Sequence, residues 1–330
     1  MSVFKKYLVG LLLTTIFVSC KNDIDVLADW KQNTVVYGLL DQSETTHYIK
    51  VGKVYLGEGS AIDMAQIQDS LYYKNNVSVV VERWKGSTLV TSYQLNRDSS
   101  IAKNPGDFLN PKQILYTFTA PLFDDSQYRL SIKDAATGHT VTGQTSLIKS
   151  SLSIARPTTN QVMDFANYNR TFDIQWNAAA GARIYQVFAV FHYKEYGLTD
   201  TVVKSITWPV SEVRVPTLNG GDPFTLNIDK KAFYKYIAGA VSNGSNVFGR
   251  EPLYLDVLFT AAADDLATFI EVGKPSTGIV QERPEYTNLT GGYGIFSARY
   301  TTGVYSRPFN ARTLDSLCSG QYTKNLNFCY

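Results

Sequence analysis

The chain has 330 residues, with 31 lysines and arginines against 29 aspartates and glutamates, and a formal net charge of +2. Such a balance argues against nucleic acid as a partner, because nucleic acid is bound by a basic stripe. It also argues against docking to anionic lipid headgroups through a polybasic patch. The 22 tyrosines and 17 phenylalanines, with frequent β-branched residues, favour strands. The length indicates two domains.

The N-terminus predicts a secretory signal peptide over residues 1–19. Lys5 and Lys6 form a basic start, and residues 7–18 form an apolar stretch. A membrane-spanning helix needs about 20 apolar residues, so this stretch is too short to remain as an anchor.

The pair Ser19-Cys20 resembles the lipobox of bacterial lipoproteins, although Phe17 departs from the leucine that is usual there. The resemblance implies that Cys20 is diacylated on sulfur and becomes the first residue of the mature chain, with residues 20–30 as a tether. Each buried CH₂ group contributes about 0.8 kcal/mol, so two or three acyl chains hold a protein firmly to a bilayer. The alternative is a plain secretory signal with a chance cysteine.

The residues after Cys20 bear on the location of the anchor. No aspartate follows the cysteine directly, so the usual signal for retention in the inner membrane is absent. Lys21, followed by Asp23 and Asp25, resembles the export signal of surface lipoproteins of the Bacteroidota. The resemblance implies a lipid anchor in the outer membrane at the cell surface, with the periplasmic face of that membrane as the second choice.

Two cysteines remain near the C-terminus, Cys318 and Cys329. In an exported protein, a pair this close in sequence can form a disulfide that closes a small terminal loop. A zinc pair and a catalytic thiol are the alternatives, but neither cysteine has a histidine nearby in the sequence. We therefore predict a disulfide.

Residues 31–150 predict an N-terminal immunoglobulin-like or fibronectin-like β-sandwich, because short strands recur there at regular spacing. The predicted strands cover residues 34–40, 47–57, 77–84, 88–95, 114–120, 128–134 and 139–147. Residues 57–73 interrupt them with one or two helical turns or an ordered loop. Residues 104–111 form a turn-rich loop.

Residues 151–330 predict a second β-rich domain. Trp176 ends one strand, a turn of small residues follows, and Tyr185 and Val187 alternate on the next strand. This pattern resembles the second and third strands of fibronectin type III domains, and it implies that the tryptophan and the tyrosine pack in the core.

The same half contains two short helices by sequence. Residues 229–241 begin with Asp229, a good N-cap, and continue with apolar residues at helical spacing. Residues 265–272 begin with Asp265 and have the same arrangement. Residues 253–263 predict a buried strand. Residues 287–307 predict a turn followed by two strands.

Motifs of catalytic chemistry are scarce in this sequence. No G-x-S-x-G occurs, and the Gly-rich stretch at 290–294 lacks the lysine of a phosphate loop, so it predicts a tight turn. The acidic pairs at 124–125 and 264–265 are typical of solvated or capping carboxylates. Three histidines lie in separate predicted strands without metal-ligand spacing: His47, His139 and His192. The sequence thus predicts no catalytic residue, metal or cofactor, and a protein that is not an enzyme.

Three short sequences consist of an aspartate, then a serine or a threonine, and then an aliphatic residue. The pattern resembles the O-glycosylation site of exported Bacteroidota proteins, and it implies candidate acceptors that have to be exposed. The acceptors are Ser70, Thr201 and Ser316.

Two longer stretches, GEGSAIDMAQIQDSLYY (57–73) and YTNLTGGYGIF (286–296), together with the lipobox, resemble uncharacterised outer-membrane lipoproteins of the Bacteroidota. The resemblance implies a non-enzymatic accessory subunit of an outer-membrane β-barrel complex, for assembly or TonB-dependent transport. The expected contact surfaces are 57–73, 104–111 and 287–296, since a sandwich clusters its loops at its ends.

The alternative is a surface lipoprotein that captures glycan or peptide for import. An exposed aromatic cluster in a concave site favours capture, whereas a flat apolar patch favours the accessory role.

Overall fold

Strands dominate the computed structural model, which describes residues 33–54, 61–104, 106, 112–242, 244, 246–275 and 285–329. Within these ranges the chain is mainly β with short helices, as the sequence predicts. The first half contains β1 (Thr34–Asp41), β2 (Thr46–Lys53), α1 (Ala61–Met64), α2 (Gln68–Leu71), β3 (Val77–Lys85), β4 (Thr88–Gln94), β5 (Asn96–Asp98), β6 (Leu115–Thr119), β7 (Gln127–Asp134) and β8 (Thr140–Ser146). The second half contains β9 (Ser153–Arg156), β10 (Thr171–Asn177), β11 (Ala182–Gly197), β12 (Thr201–Arg214), β13 (Pro223–Asp229), α3 (Lys230–Ala240), β14 (Val247–Ala263), α4 (Asp264–Gly273), β15 (Leu289–Thr290), β16 (Tyr293–Arg307), α5 (Ala311–Ser319) and a 3₁₀ turn (Lys324–Leu326).

The described strands form three sheets. An eight-stranded sheet has the order β12-β11-β14-β16-β1-β2-β6-β5, a five-stranded sheet has the order β15-β8-β7-β3-β4, and a three-stranded sheet has the order β13-β10-β9. In the first half, every second residue of β1, β2 and β6 points inward and faces the inward residues of β3, β7 and β8. This alternation is expected of strands that bury one face. These inward residues include Val36, Ile49, Val81, Tyr116, Tyr128 and Leu130.

The second half packs the three-stranded sheet against the long strands β11 and β14. Trp176 and Tyr185 are both buried there, with ring centroids 5.8 Å apart. Phe224 and Phe259 contact the same indole at 5.5 and 5.3 Å. The predicted core role of the tryptophan and the tyrosine is therefore confirmed.

The two halves share one sheet. β1 pairs in parallel with β16, with Val36 opposite Gly294 and Leu40 opposite Ala298. The buried Asp41 carboxylate accepts hydrogen bonds at 3.0 Å from Arg299 Nε on β16 and, also at 3.0 Å, from Thr301 Oγ1. The boundary predicted between residues 150 and 151 falls between β8 and β9, but sheet pairing and core packing continue across it.

The two predicted helices are present as α3 and α4. The Asp229 side chain accepts a hydrogen bond from Lys231 N at 3.1 Å and caps α3 as predicted. Asp265 is not a cap, because α4 already begins at Asp264 with Ala263 in the capping position.

The C-terminal part of the chain differs from the expected strand pair. After the turn, residues 293–307 form one long strand, because Gly303 lies beside β14 and not in a second turn. A Cβ at Gly303 would lie 2.5 Å from Val257 O, so glycine permits this close approach. The helix α5 has no counterpart among the predicted elements.

The end of the chain is fastened by a disulfide and by a buried arginine. Cys318 and Cys329 are bonded in the structure, with their Cα atoms 4.6 Å apart. The fully buried Arg250 donates through Nη1 to Leu326 O at 2.6 Å and through Nε to Glu195 Oε2 at 2.9 Å. The tail is thereby tied to β14 and β11.

Gly294 is required for the parallel pairing of β1 and β16. Its φ is +100°, and a Cβ would lie 2.1 Å from Val36 O. We expect Gly294→Ala to lower the free energy of unfolding by at least about 2 kcal/mol, measured by urea denaturation. Gly239→Ala, at an open position in α3, should raise it by up to about 1 kcal/mol. Equal effects of both substitutions would contradict this account.

His47 on β2 is buried, with Nε2 2.9 Å from Ala120 O, and burial lowers the pKa of its imidazole from 6.5. The folded state thus favours neutral His47. The contribution of His47 to the free energy of unfolding is therefore fully present above the unfolded-state pKa of the imidazole, and it is lost as the pH falls below that pKa. We expect His47→Gln to flatten the loss of unfolding free energy between pH 7 and about pH 5.5, a range above most carboxylate titrations. Phe118→Leu, at the neighbouring ring, should lower stability without changing that slope.

Candidate binding groove

A groove opens on the outer face of the eight-stranded sheet, where β1 and β16 begin. Its volume is about 440 Å³. The floor comes from the starts of β1 and β16, one wall comes from the C-terminal half of α4, and the ends come from residues at the borders of β1, β2 and β15. The lining residues are Asn33, Val35, Tyr37, Val54, Phe269, Val272, Gly273, Glu285, Tyr286, Tyr293 and Gly294.

Strand alternation creates the aromatic floor. On β1, Val36 points into the core and Tyr37 points outward, so the tyrosine remains 47% exposed. On β16, Tyr293 is 46% exposed. The Tyr37 ring meets Phe269 of α4 edge-on, with centroids 6.2 Å apart. Two exposed tyrosines and a phenylalanine thus converge from three separate parts of the chain.

Helix α4 is fixed on the sheet by an apolar face and by ion pairs. Leu266 and Ala267 are buried against Ile184 of β11 and Ala262 of β14. At the start of the helix, Asp264 Oδ1 lies 2.6 Å from Arg183 Nε. A second ion pair joins Glu271 near its end to Arg214 of β12. The wall of the groove is therefore held on the sheet mainly by apolar packing, with ion pairs at both ends of the helix.

Asn288 acts as a clip between α4 and β16. Its Nδ2 donates to Asp265 Oδ2 at 3.1 Å and to Phe296 O at 2.8 Å, and its Oδ1 accepts from Phe296 N at 3.0 Å. Tyr286 donates to Asp265 Oδ1 at 2.5 Å. Partial burial is the main cause that raises the pKa of Tyr286, and the Asp265 carboxylate raises it further. The tyrosine hydroxyl therefore stays protonated and remains a donor.

The groove is concave, and its volume is within the usual range of ligand sites. Valine, phenylalanine and tyrosine side chains dominate it, with Asn33, Glu285 and the tyrosine hydroxyls at its polar edge. The concave shape is the feature expected for ligand capture. The apolar lining suits a polypeptide side chain better than a sugar, because sugar hydroxyls need polar partners.

One of the three predicted contact loops lines the groove. Tyr293 and Gly294 belong to the stretch 287–296 and lie directly in the floor. The stretch 57–73, described from residue 61, contains α1 and α2 and contacts the inward side of β1, where Tyr73 OH is hydrogen-bonded to the buried Thr34 Oγ1 at 2.7 Å. Of the loop 104–111, only residues 104 and 106 are described.

The other predicted sites are separate from the groove. Cys20, with the signal peptide and the tether, lies outside the described residues. Among the candidate O-glycosylation acceptors, Thr201 is exposed at the start of β12. Ser70 and Ser316 are half-buried, and Ser316 Oγ donates to Arg312 O within α5.

The histidines do not converge, and within the described ranges no cluster of three or more histidine, cysteine and acidic residues could hold a metal. His192 lies on β11 inside the sheet. Its Nε2 is 2.9 Å from Asp256 Oδ2, and its ring stacks on Tyr254 at 4.5 Å. Asp256 also accepts from Ser306 N at 2.7 Å. His47 is buried on β2, far from His192 in the sheet order.

No helix in the described part of the chain combines the length and the apolar character needed to cross a membrane.

No protein-family model matches the chain, and no curated protein matches it. Among solved structures, the chain is similar to the C-terminal globular domain of an oligosaccharyltransferase from Pyrococcus abyssi, with 12% sequence identity and a TM-score of 0.25. The match covers 68% of this chain and 47% of that chain, so this protein spans less than half of that structure. A similarity at this level carries no argument about function.

The Asn288 clip can be tested by substitution. We expect Asn288→Ala to lower the free energy of unfolding by about 1–3 kcal/mol, because it removes the hydrogen bonds that Asn288 makes to Asp265 Oδ2, Phe296 O and Phe296 N. Amide exchange at Phe296 should accelerate at the same time. Asn227→Ala, at an exposed position on β13, is the control and should change neither quantity. Unchanged exchange at Phe296 in Asn288→Ala would contradict the role of the clip.

Proposed function

We propose that this protein is a non-enzymatic, lipid-anchored binding protein of the outer membrane that contacts a membrane partner through its aromatic groove. The partner is the periplasmic or surface part of an outer-membrane β-barrel complex, for assembly or TonB-dependent transport. The groove captures an apolar polypeptide segment of that partner, so the concave aromatic site expected for ligand capture here serves the contact with the partner. The observation that carries the proposal is the exposed aromatic groove beside Asn33.

The chemistry of the lining supports a polypeptide as the bound group. Exposed tyrosines provide large contact area at low cost in conformational entropy, and aromatic anchors dominate binding energy in protein interfaces. Tyr37 and Tyr293 lie on paired strands and are offset by two residues in register, and Phe269 closes the wall. A partner side chain placed among them would lose contact with water on several sides, which is the basis of hydrophobic binding energy.

The position of the groove supports a partner in the same membrane. Cys20, the predicted lipidation site, precedes Asn33 by 13 residues (33 − 20). A chain of that length spans at most about 45 Å when fully extended. The groove is thus kept within reach of the bilayer surface, where a membrane-embedded partner exposes its loops.

The experiment uses the full-length chain with a C-terminal tag in its own cells. Outer membranes are extracted in mild detergent, the tagged protein is purified, and co-eluting proteins are identified and quantified. We expect a β-barrel protein in a fixed ratio. The double variant Tyr37→Ser with Tyr293→Ser should lose it by about tenfold or more, since each aromatic anchor contributes about 1 kcal/mol or more.

The matched control removes two aromatic rings of similar exposure elsewhere. Phe248 and Tyr305 are 51% and 53% exposed, and neither lines the groove. The pair Phe248→Ser with Tyr305→Ser should retain the partner. Cys20→Ser should release the protein from the membrane fraction. A β-barrel partner retained by the groove variant, or no β-barrel in a fixed ratio at any detergent strength, would overturn the proposal.

A further inference from the structure

A second concave site lies in the other half of the chain and has the opposite chemical character. We name it the basic cleft. It is bounded by residues 164–170, the start of α3 and the segment from α5 to Tyr322, and its volume is about 820 Å³. The lining residues are Asp164, Ala166, Asn167, Tyr168, Asn169, Arg170, Lys230, Lys231, Arg312, Gln321 and Tyr322.

Positive charge is concentrated in the basic cleft. Its lining contains four lysines and arginines and one carboxylate, Asp164. Asp229, just outside the lining, pairs with Lys231 at 3.1 Å. Four positive charges less two negative ones leave an excess of +2 around one cavity. The whole 330-residue chain has a net charge of only +2, so the cleft is locally far more basic than the protein.

Lys230 brings a cation to the wall of the cleft. Its side chain is 8% exposed, and its Nζ forms an ion pair with Asp164 Oδ1 at 3.8 Å, which is longer than a hydrogen bond. Because Lys230 also lines the cleft, an anion that enters there can approach the ammonium more closely than Asp164 does.

Asp164 cannot neutralise the cleft alone. Its Oδ2 lies 3.6 Å from Arg312 Nη2, so one carboxylate is shared at long distance between two cations. Partial burial opposes ionisation, but the hydrogen bond from Ala166 N, a hydrogen bond with Asn310 and the two nearby cations outweigh it and lower the pKa of Asp164. The carboxylate is thus charged at neutral pH, and the excess positive charge remains after it is counted.

The start of α3 adjoins the cleft at Lys230 and Lys231, but its backbone donors are already used. Lys231 N donates to the Asp229 carboxylate at 3.1 Å, and Lys230 N donates to Arg170 O at 3.3 Å. The positive charge of the cleft therefore comes from its lysine and arginine side chains.

The remaining lining suits hydroxyl groups and a sugar ring. Asn167, Asn169 and Gln321 present side-chain amides, each of which can both donate and accept hydrogen bonds. Tyr168 and Tyr322 stand edge to face at 5.6 Å and offer an aromatic surface. Amides and tyrosines around a cationic centre are the groups that an anionic carbohydrate would contact.

We infer that the basic cleft binds an acidic saccharide, with Lys230, Arg170 and Arg312 holding its carboxylate or sulfate and with the amides and tyrosines contacting its hydroxyls and rings. This site is independent of the aromatic groove. It would hold if the groove had no partner, and its failure would leave the groove proposal unchanged.

The test is calorimetric titration of the purified full chain with three probes: a linear tetrauronate, a neutral tetrasaccharide of the same linkage, and sodium sulfate at matched ionic strength. We expect the tetrauronate to bind at least about tenfold more tightly than either other probe, and its affinity to fall as NaCl is raised. Arg170→Gln and Arg312→Gln should each weaken it by about tenfold, because a hydrogen bond to a charged group contributes about 1.5 kcal/mol or more. Lys230→Met should weaken it further.

Lys133→Gln is the control, because it removes the same charge at an exposed position on β7 and should leave affinity unchanged. Arg170 and Arg312 are exposed, so their variants keep the test decisive if Lys230→Met fails to fold. Equal affinity for the neutral probe would overturn the role of charge. Equal affinity for sulfate would overturn the saccharide. No binding of the tetrauronate at millimolar concentration, or equal loss in Lys133→Gln, would overturn the site.

Discussion

The parallel pairing of β1 with β16 is the contact on which the rest of the structure depends. It joins a strand from the start of the described chain to one from its end, and the eight-stranded sheet exists only because of it. Parallel neighbours need a crossover, and here the crossover comprises nearly the whole protein. Two features secure it: a glycine at position 294, where any side chain would collide with β1, and the buried Asp41, which binds Arg299 and Thr301.

The same pairing creates the aromatic groove. Tyr37 and Tyr293 are neighbours because their strands are paired, and α4 can cover the adjacent surface because β11, β14, β16 and β1 form one continuous face. The basic cleft arises by a different route, where residues 164–170, α3 and α5 meet around Asp164 and Lys230. The described residues thus present an apolar concave site and a cationic one. We propose groups of different chemistry for them, a polypeptide segment for the first and an anionic sugar for the second.

Local sequence signals account for most of the elements. The β3–β4 hairpin, α3 with its Asp229 cap, and the contact between Trp176 and Tyr185 follow from alternation, capping chemistry and a short connection. Three elements did not follow. Asp265 binds Tyr286 and Asn288 instead of capping α4, residues 293–307 form one strand, and α5 was not predicted. The first two depend on neighbours that are distant in the chain. The helix α5, by contrast, has a local signal that was missed, since Asn310 caps it and Leu314 and Leu317 follow at helical spacing.

By itself, the sequence determined the mainly β class, the positions of α3 and α4 and the cysteine pair that forms the terminal disulfide. These depend on residues a few positions apart, whose periodicity and spacing can be counted along the chain. Only the tertiary structure decided that the two halves share a sheet, that Tyr37, Phe269 and Tyr293 line one groove, and that Arg170, Lys230 and Arg312 line one cleft. The reason is physical: exposure, charge pairing and cavity shape depend on which distant strands and helices pack together, and no local pattern encodes that choice.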